Sequence, residues 1–478
     1  MLFHSMAFAI FLPAVFILYW ICPIRFRCLF LIAAGYCFYM TADIKYTLLL
    51  LLITVGSYGT ARLLEAAPGS SARKKIFLAG LIALLSPLFF FKYIPALLPL
   101  RSSPIQFMLP VGISFYTFQA VGYLADIYME KYPAEKNFGH YCLFLSFFPQ
   151  LLSGPIGRGG QLLPQIRSPR RFDASRASYG LKRMAVGYYK KLVVAGLVAP
   201  TVDAVYGSPD SYVGLIFPIA TFLFAIQIYC DFSGYTDIAV GCALLFGIEL
   251  ADNFKSPYFS HNLKEFWSRW HISLSSWFRD YVYIPLGGSR TGPSRHALNL
   301  MLTFLVSGLW HGAGITFLLW GGLHGLFQIL ENGITKRQGK NAEAGHRSQP
   351  AFLRSMLSIL SMLLTFLLVC IAWVFFRADS LSDAWRILSL SFCNIKNFGE
   401  YLKTAVICLD MSYGHMAYIS LPILFLAVYD YASLKTDVIA FLSSRKVWIR
   451  YPVYVLFLLS ILLFSEKGVS SEFYYFQF

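Results

Sequence analysis

The sequence predicts an all-α polytopic membrane protein, with about eleven transmembrane helices and re-entrant and interfacial helices between them. Three observations predict it. Of the 478 residues, 57% are hydrophobic and only 13% charged, against roughly 25% charged in a soluble globular chain. Mean hydropathy is +0.59. Apolar runs of about 18 or more residues, the length that crosses a bilayer as a helix, recur from end to end.

Taken in order, the run 6–22 has no basic stretch before it and no small-residue cleavage site after it. It therefore reads as a retained span rather than a signal peptide. Spans near 27–41, 46–64, 76–96 and 106–127 follow. The next apolar run, 141–156, is short and contains Pro149, Gly154 and Pro155. The segment ending near Lys131 and the loop after Arg158 are placed on the same side, so this run cannot cross and return as full helices. It reads as a re-entrant hairpin in preference to a helix lying flat, and such backbone must be covered by protein or by a water-filled cavity. Spans near 178–206 and 212–231 come next. Residues 252–295 are different: Phe266, Trp267, Trp270, Leu274, Trp277 and Phe278 recur at helical spacing among many charges. That pattern predicts an amphipathic helix at the membrane surface or on a funnel wall. Spans near 298–318, 315–332, 352–376, 416–431 and 447–464 complete the chain. No repeat is visible, and the whole reads as one domain, 1–478, with a catalytic core near 106–335.

The net charge of +16 gathers in loops: Arg25 and Arg27; Arg62, Arg73, Lys74 and Lys75; Arg158 through Arg183; Lys336 through Arg354; Lys435 through Arg450. Cytoplasmic loops carry such an excess, which puts the N-terminus outside and assigns the charge to orientation at a lipid bilayer, not to nucleic acid. The nine cysteines include no CxxC pair, so neither a zinc site nor a disulfide framework is expected. No metal is expected at all.

One histidine stands out. His311 lies within an apolar stretch, followed by Gly312, Ala313 and Gly314 and preceded by Gly308. An ionisable group at membrane depth is costly and marks a cavity or a working site. Glycines let backbone or substrate approach closely, and imidazole moves protons near neutral pH. His311 is thus either a catalytic base or a buried structural donor. Other polar stretches are 149–166, 227–237, 253–258, 266–274 and 321–325.

These stretches carry a resemblance. Ser153-Gly154-Pro155-Ile156, Asp231-Phe232-Ser233-Gly234-Tyr235, Asn253-Phe254-Lys255-Ser256-Pro257-Tyr258, Phe266-Trp267-Ser268-Arg269-Trp270-His271, Leu309-Trp310-His311-Gly312, Trp373-Val374-Phe375-Phe376-Arg377-Ala378 and the ending Phe473 to Phe478 resemble the membrane-bound O-acyltransferase family, in its bacterial branch that O-acetylates alginate and other polysaccharides. The resemblance spans essentially the whole chain. It implies a helical bundle around a central tunnel in the bacterial cytoplasmic (inner) membrane, with His311 as the essential catalytic residue and His271 as its polar partner. It implies acetyl-CoA as donor substrate from the cytoplasm, with no bound cofactor, and an extracytoplasmic polysaccharide acceptor, an alginate-like exopolysaccharide or a cell-wall glycan. It also implies a periplasmic or membrane-anchored acetyltransferase or esterase-like partner protein.

The residues themselves agree with less specificity. Acyl transfer needs a base for the attacking hydroxyl and donors for the oxyanion. His311 suits the first role, or covalent acyl carriage, and His271 suits proton sharing or orientation of the second substrate. No serine occupies a nucleophile elbow. Asp231 and Asp237 read equally as tunnel residues or as caps at a break in a span. Lys255 and Arg269 suit donor phosphates. Ser233, Tyr235, Asn253, Trp267 and Trp310 join the expected substrate- and donor-binding set through their motifs. Arg158 and Gln161, with Gln165, are expected at the cytoplasmic mouth, and His324 reads as structural. Two alternatives are D-alanyl transfer to teichoic acid and a proton-coupled transporter, although the inverted repeats common in transporters are not visible.

Overall fold

Regular structure is entirely helical among the described residues of the computed structural model, which are 1–97, 109–168, 170–338, 350–408 and 413–465. Polar caps set several helix starts. Ser5 accepts from the Phe8 amide to open Met6–Ile21, Asp43 opens Ile44–Ala66, Asn137 opens Phe138–Ser146 and Asn262 opens Leu263–Arg269. Five described helices are long and apolar enough to cross a membrane: Ile44–Ala66, Ser70–Pro95, Ile216–Leu245, Phe352–Arg377 and Val447–Phe464. Met6–Ile21 and Ala417–Ser433 are apolar but shorter. The protein is a multi-pass membrane protein. Burial separates two roles among the apolar helices. The apolar stretch of Ile216–Leu245 is 83% buried, whereas that of Val447–Phe464 is 0% buried; an apolar helix without protein cover is stable only where lipid covers it.

The chain forms two compact units. The first comprises Met1–Tyr188 and Ser233–Asp252; the second comprises Tyr189–Phe232 and the described chain from Asn253 onward. In the first unit, the run 141–156 is buried throughout and broken into short helices, Phe138–Ser146 and Phe148–Leu151, before the chain turns at Ser153-Gly154-Pro155. This irregular backbone has the protein cover that the sequence demanded of it. Gly112 permits the fit: it has a φ of +79°, and a Cβ there would stand 2.7 Å from the carbonyl oxygen of Leu151.

The expected span 178–206, which runs from the end of the first unit's 1–188 segment into the second, is not a uniform helix. Ala174–Tyr188 widens into a π-helical segment, Tyr189–Ala195, before Gly196–Gly207 resumes α geometry. The π segment holds Lys190 and Lys191, both buried. The region 252–295 also differs from a single amphipathic helix. It contains two seven-residue helices, Leu263–Arg269 and Ile272–Phe278, and a π turn, Arg279–Tyr283. Next comes a tight hairpin of Pro293–His311 and Ile315–Gln338, whose turn is at 312–314. The connector 339–349 and the terminal Phe473–Phe478 lie outside the described residues.

Candidate active site

His311 is the last residue of the helix Pro293–His311 and is 4% exposed. The Gly312 amide bonds back to the Gly308 carbonyl, and the chain then leaves the helix. Glycine is required here because a Cβ on Gly312 would lie 2.2 Å from the Phe317 ring. The hairpin is equally close: a Cβ on Gly308 would meet the Phe317 carbonyl oxygen at 2.3 Å, and one on Gly321 would meet that of Phe304 at 2.3 Å. Small residues of this kind bring membrane helices into backbone contact. This contact carries Trp320 up to His311, with ring centres 4.9 Å apart and planes at 84°. Phe376, from the helix Ala351–Arg377, packs against the imidazole at 5.3 Å and 74°. Trp310 packs at 4.8 Å and 79°. The imidazole sits in an aromatic box that keeps bulk water out.

His271 enters from the junction of the two seven-residue helices. Its ring centre is 6.2 Å from that of Trp310, which puts one indole beside both histidines. It is 1% exposed and packs edge-on against Phe232 at 4.6 Å. Its backbone is left-handed, with φ 43° and ψ 53°, a conformation that costs a non-glycine residue of order 1–3 kcal/mol and persists only where neighbours impose it. Asn253 imposes it. Its carbonyl accepts from the Ile272 amide at 3.0 Å, and its Oδ1 accepts from the Ser273 amide at 3.0 Å. Ser256, three residues on, is also left-handed, with φ 46°. Its Oγ donates to the Asp430 carbonyl at 2.9 Å. Burial pushes the His271 imidazole down to about 3, so it is neutral at physiological pH.

The other expected residues sort as follows. Trp267 is half-buried, stacks edge-on against Trp320 at 5.8 Å, and donates from Nε1 to His324 Nδ1 at 3.4 Å. It also lines a cavity of about 640 Å³ with Lys264, Ser276, Arg279, Phe304 and Ser307. Lys264 and Arg279 were not among the expected donor residues. Arg269 is tied to Glu265 one turn away, and the Lys255 side chain is exposed. Asp231 lies inside its helix, where it forms a buried ion pair with Lys191 and caps nothing. Asp237 pairs with Arg183 at 3.1 Å, and Arg183 also reaches Asp252 at 2.6 Å. Ser233, Tyr235, Arg158 and Gln161 belong to the first unit. There Ser233 and Tyr235 are buried, Tyr235 stacking on Phe3 at 4.5 Å, while Arg158 stands just before the helix Gly159–Arg167 and Gln161 is exposed on it. The aromatic wall of Phe232, Trp320, Trp373 and Phe376 was not singled out as site residues, although Trp320/His324 and Trp373/Phe376 stand at the spacing that shares a helix face. No group of three or more His, Cys, Asp or Glu able to hold a metal occurs among the described residues.

The fold is a multi-pass helical one that buries an imidazole, His311, among aromatic rings, one helical turn from the cavity-lining Ser307. The model of the membrane-bound O-acyltransferase family matches residues 134–374, and the chain belongs to that family. It is an O-acyltransferase. It is 35% identical over 405 residues to the probable alginate O-acetylase AlgI of Pseudomonas aeruginosa, covering 82% of this chain and 75% of that one. It is 31% identical over 491 residues to the peptidoglycan O-acetyltransferase of Helicobacter pylori, covering 94% and 91%. It is also 28% identical over 292 residues to the teichoic acid D-alanyltransferase of Streptococcus thermophilus, covering 58% and 69%.

Proposed function

We propose that this protein is an O-acetyltransferase of the bacterial inner membrane that takes acetyl from cytoplasmic acetyl-CoA and delivers it for O-acetylation of an extracytoplasmic polysaccharide. The observation that carries the reading is the placement of His311. It is buried in an aromatic box, shares the Trp310 ring with His271, and stands one helical turn from Ser307 on the wall of the 640 Å³ cavity. Lys264 and Arg279 on that wall suit an anionic donor. The likeness to an alginate O-acetylase and a peptidoglycan O-acetyltransferase supports acetyl as the group and a glycan hydroxyl as its destination.

In this reading His311 accepts the proton of the attacking hydroxyl as its oxygen bonds to the thioester carbonyl carbon. The tetrahedral intermediate collapses, the carbon–sulfur bond breaks, and the thiolate leaves with the proton returned from His311. Neutral His271 donates one hydrogen bond to an oxygen of the reacting group without carrying charge into the site. The acceptor hydroxyl is on the polysaccharide or on a periplasmic acetyltransferase or esterase-like partner that passes acetyl onward.

The test uses purified protein in nanodiscs with acetyl-labelled acetyl-CoA. Wild type should consume the thioester in the presence of acceptor, and His311→Ala should lose turnover while keeping its melting temperature. Wild-type turnover by His311→Ala would overturn the assignment. Consumption of a carrier-protein thioester in place of acetyl-CoA would move the donor to the D-alanyl class.

A further inference from the structure

The first unit holds a cavity lined by none of the residues packed against His311 or His271. It has a volume of about 250 Å³ and lies at the turn between Met6–Ile21 and Ile24–Met40. Arg25, Arg27, Arg167, Arg170 and His140 line it, and no carboxylate does. Its lining also has an apolar part, with Ile24, Leu31, Leu143, Ile166, Phe246 and Ile248. Arg170 also borders an open hollow of about 540 Å³ that adds Arg171 and Arg176, opposed by Asp173 alone.

The guanidinium groups are built into the structure to different degrees. Arg27 is fixed: it donates to the carbonyls of Cys22 at 3.2 Å, Arg170 at 2.8 Å and Trp20 at 3.4 Å, and stacks over Trp20 at 4.7 Å. Arg167 is neutralised by the buried Glu135, its Nε bonding at 2.6 Å. Arg170 bonds to Gln165 at 3.3 Å and reaches Glu249 only at 3.9 Å. Arg25 and Arg171 have no carboxylate within ion-pair distance among the described residues. Arg27 bonds to the carbonyls of Cys22, Arg170 and Trp20 and has no carboxylate within ion-pair distance among the described residues. The cavity therefore presents uncompensated positive charge in a fixed frame, with an apolar part to its lining. Arginine matches phosphate in a bidentate fork, and basic pockets between membrane helices on the cytoplasmic side take anionic lipid headgroups. The enclosed volume is below the roughly 300–1,000 Å³ of pockets that hold a drug-sized ligand, so it suits one phosphate-bearing head with its chain running along the apolar part of the lining.

We propose that this cavity binds a phosphate-bearing headgroup, with Arg25 and Arg27 gripping the phosphate and Arg170 and Arg171 closing its outer side. The same chemistry is offered by an anionic phospholipid and by the nucleotide end of the acyl donor, and the apolar part of the lining favours the lipid. The test uses the full chain in neutral detergent, followed by native mass spectrometry and thermal melting. The ligands added are phosphatidylglycerol, phosphatidylcholine or adenosine 3′,5′-diphosphate. Phosphatidylglycerol should bind and raise the melting temperature more than phosphatidylcholine, and less so at high salt. Arg25→Ala should weaken its binding by about five-fold, the worth of one basic residue at an anionic surface. Arg171→Glu, exposed and unlinked to any fold contact, should weaken it further, and Arg445→Glu, basic but remote in sequence, should leave it unchanged. Protection by the diphosphate that is lost in Arg25→Ala would support the phosphate site and assign it to the donor. Equal binding of both lipids with no nucleotide effect, or equal weakening by Arg445→Glu, would overturn the site.

Discussion

The backbone-to-backbone contact in the His311 hairpin makes a sharp prediction about two glycines. Gly308 and Gly321 each place their missing Cβ 2.3 Å from a backbone carbonyl oxygen of the facing helix. Comfortable contact begins near 3.5 Å, so Gly308→Ala must push the backbone at Phe317 back by about 1 Å. A carbonyl inside a helix cannot give way as a flexible side chain does. The strain should cost about 1–3 kcal/mol, and the shift falls on the element that carries Trp320 to His311. Since a 1 Å misplacement of reacting groups costs on the order of 10²-fold in rate, acetyl-thioester consumption should fall by about that factor. Gly321→Ala should behave alike. Gly322 is the internal control: its Cβ would sit 3.6 Å from Leu305 Cδ2, an ordinary contact, and Gly333 has nothing within 4 Å. Alanine at Gly322 should leave rate and melting temperature near wild type, and alanine at Gly333 should stabilise the helix by about 0.5–1 kcal/mol. Melting curves and turnover on the four variants decide the matter. Wild-type turnover and stability in Gly308→Ala, or damage from Gly322→Ala equal to it, would refute the account of the hairpin.

Further outcomes follow from other contacts. The His271 imidazole is pushed down to about 3 in the folded protein from about 6.5 in the unfolded chain. The unfolded state therefore binds more protons between these values, and its contribution to stability is complete above pH 6.5 and lost as pH falls through the window, at about 1.4 kcal/mol per unit. The difference in melting temperature between wild type and His271→Gln should shift with pH in that sense below 6.5; a pH-independent difference would count against it. Breaking the buried Lys191–Asp231 pair on one side, as in Asp231→Asn, leaves Lys191 buried with its carboxylate partner lost and should destabilise by about 3–5 kcal/mol. The double change Lys191→Met/Asp231→Leu should recover most of that loss in a chemical-denaturation series. Asn253→Ala removes the acceptor for the Ser273 amide and should cost about 1–3 kcal/mol. It should also lower turnover, and Asn253→Asp should restore much of it because the Oδ acceptor is kept.

The multi-pass helical class was legible in the apolar runs, and the irregular buried segment after Phe138 was legible in Pro149, Gly154 and Pro155. His311 was legible as a candidate because its chemistry contradicts its surroundings, and the structure buries it. The aromatic box was not, because Trp320 and Phe376 reach His311 through tertiary packing, and aromatic residues are common throughout an apolar chain. The π segment was hidden because a helix that widens by one residue keeps its apolar composition. Its two lysines were the available signal, since charge inside an apolar run demands a partner, but that partner, Asp231, lies 40 residues away. Asn253 lies 20 residues before the amide it holds, and nothing local distinguishes a clamp from a ligand. The break at His271 was invisible for the same reason: its left-handed turn is imposed from outside the helix pair.

The bond from Ser256 to Asp430 bears on the order in which this part of the fold can be assembled. Asn253 holds His271 in its turn, Ser256 follows three residues later, and Ser256 is anchored to the carbonyl of a residue 174 positions further along the chain. Tyr229 is anchored there too, its hydroxyl donating to Asp430 Oδ2 at 2.6 Å. A ribosome-bound chain that has already inserted both histidines still lacks this anchor until the helix Tyr413–Ser433 arrives. A chain stopped before Asp430 would carry both histidines without this anchor for the loop after Asn253. The helix Tyr413–Ser433 thus closes the frame around Tyr229 and Ser256 from late in the sequence.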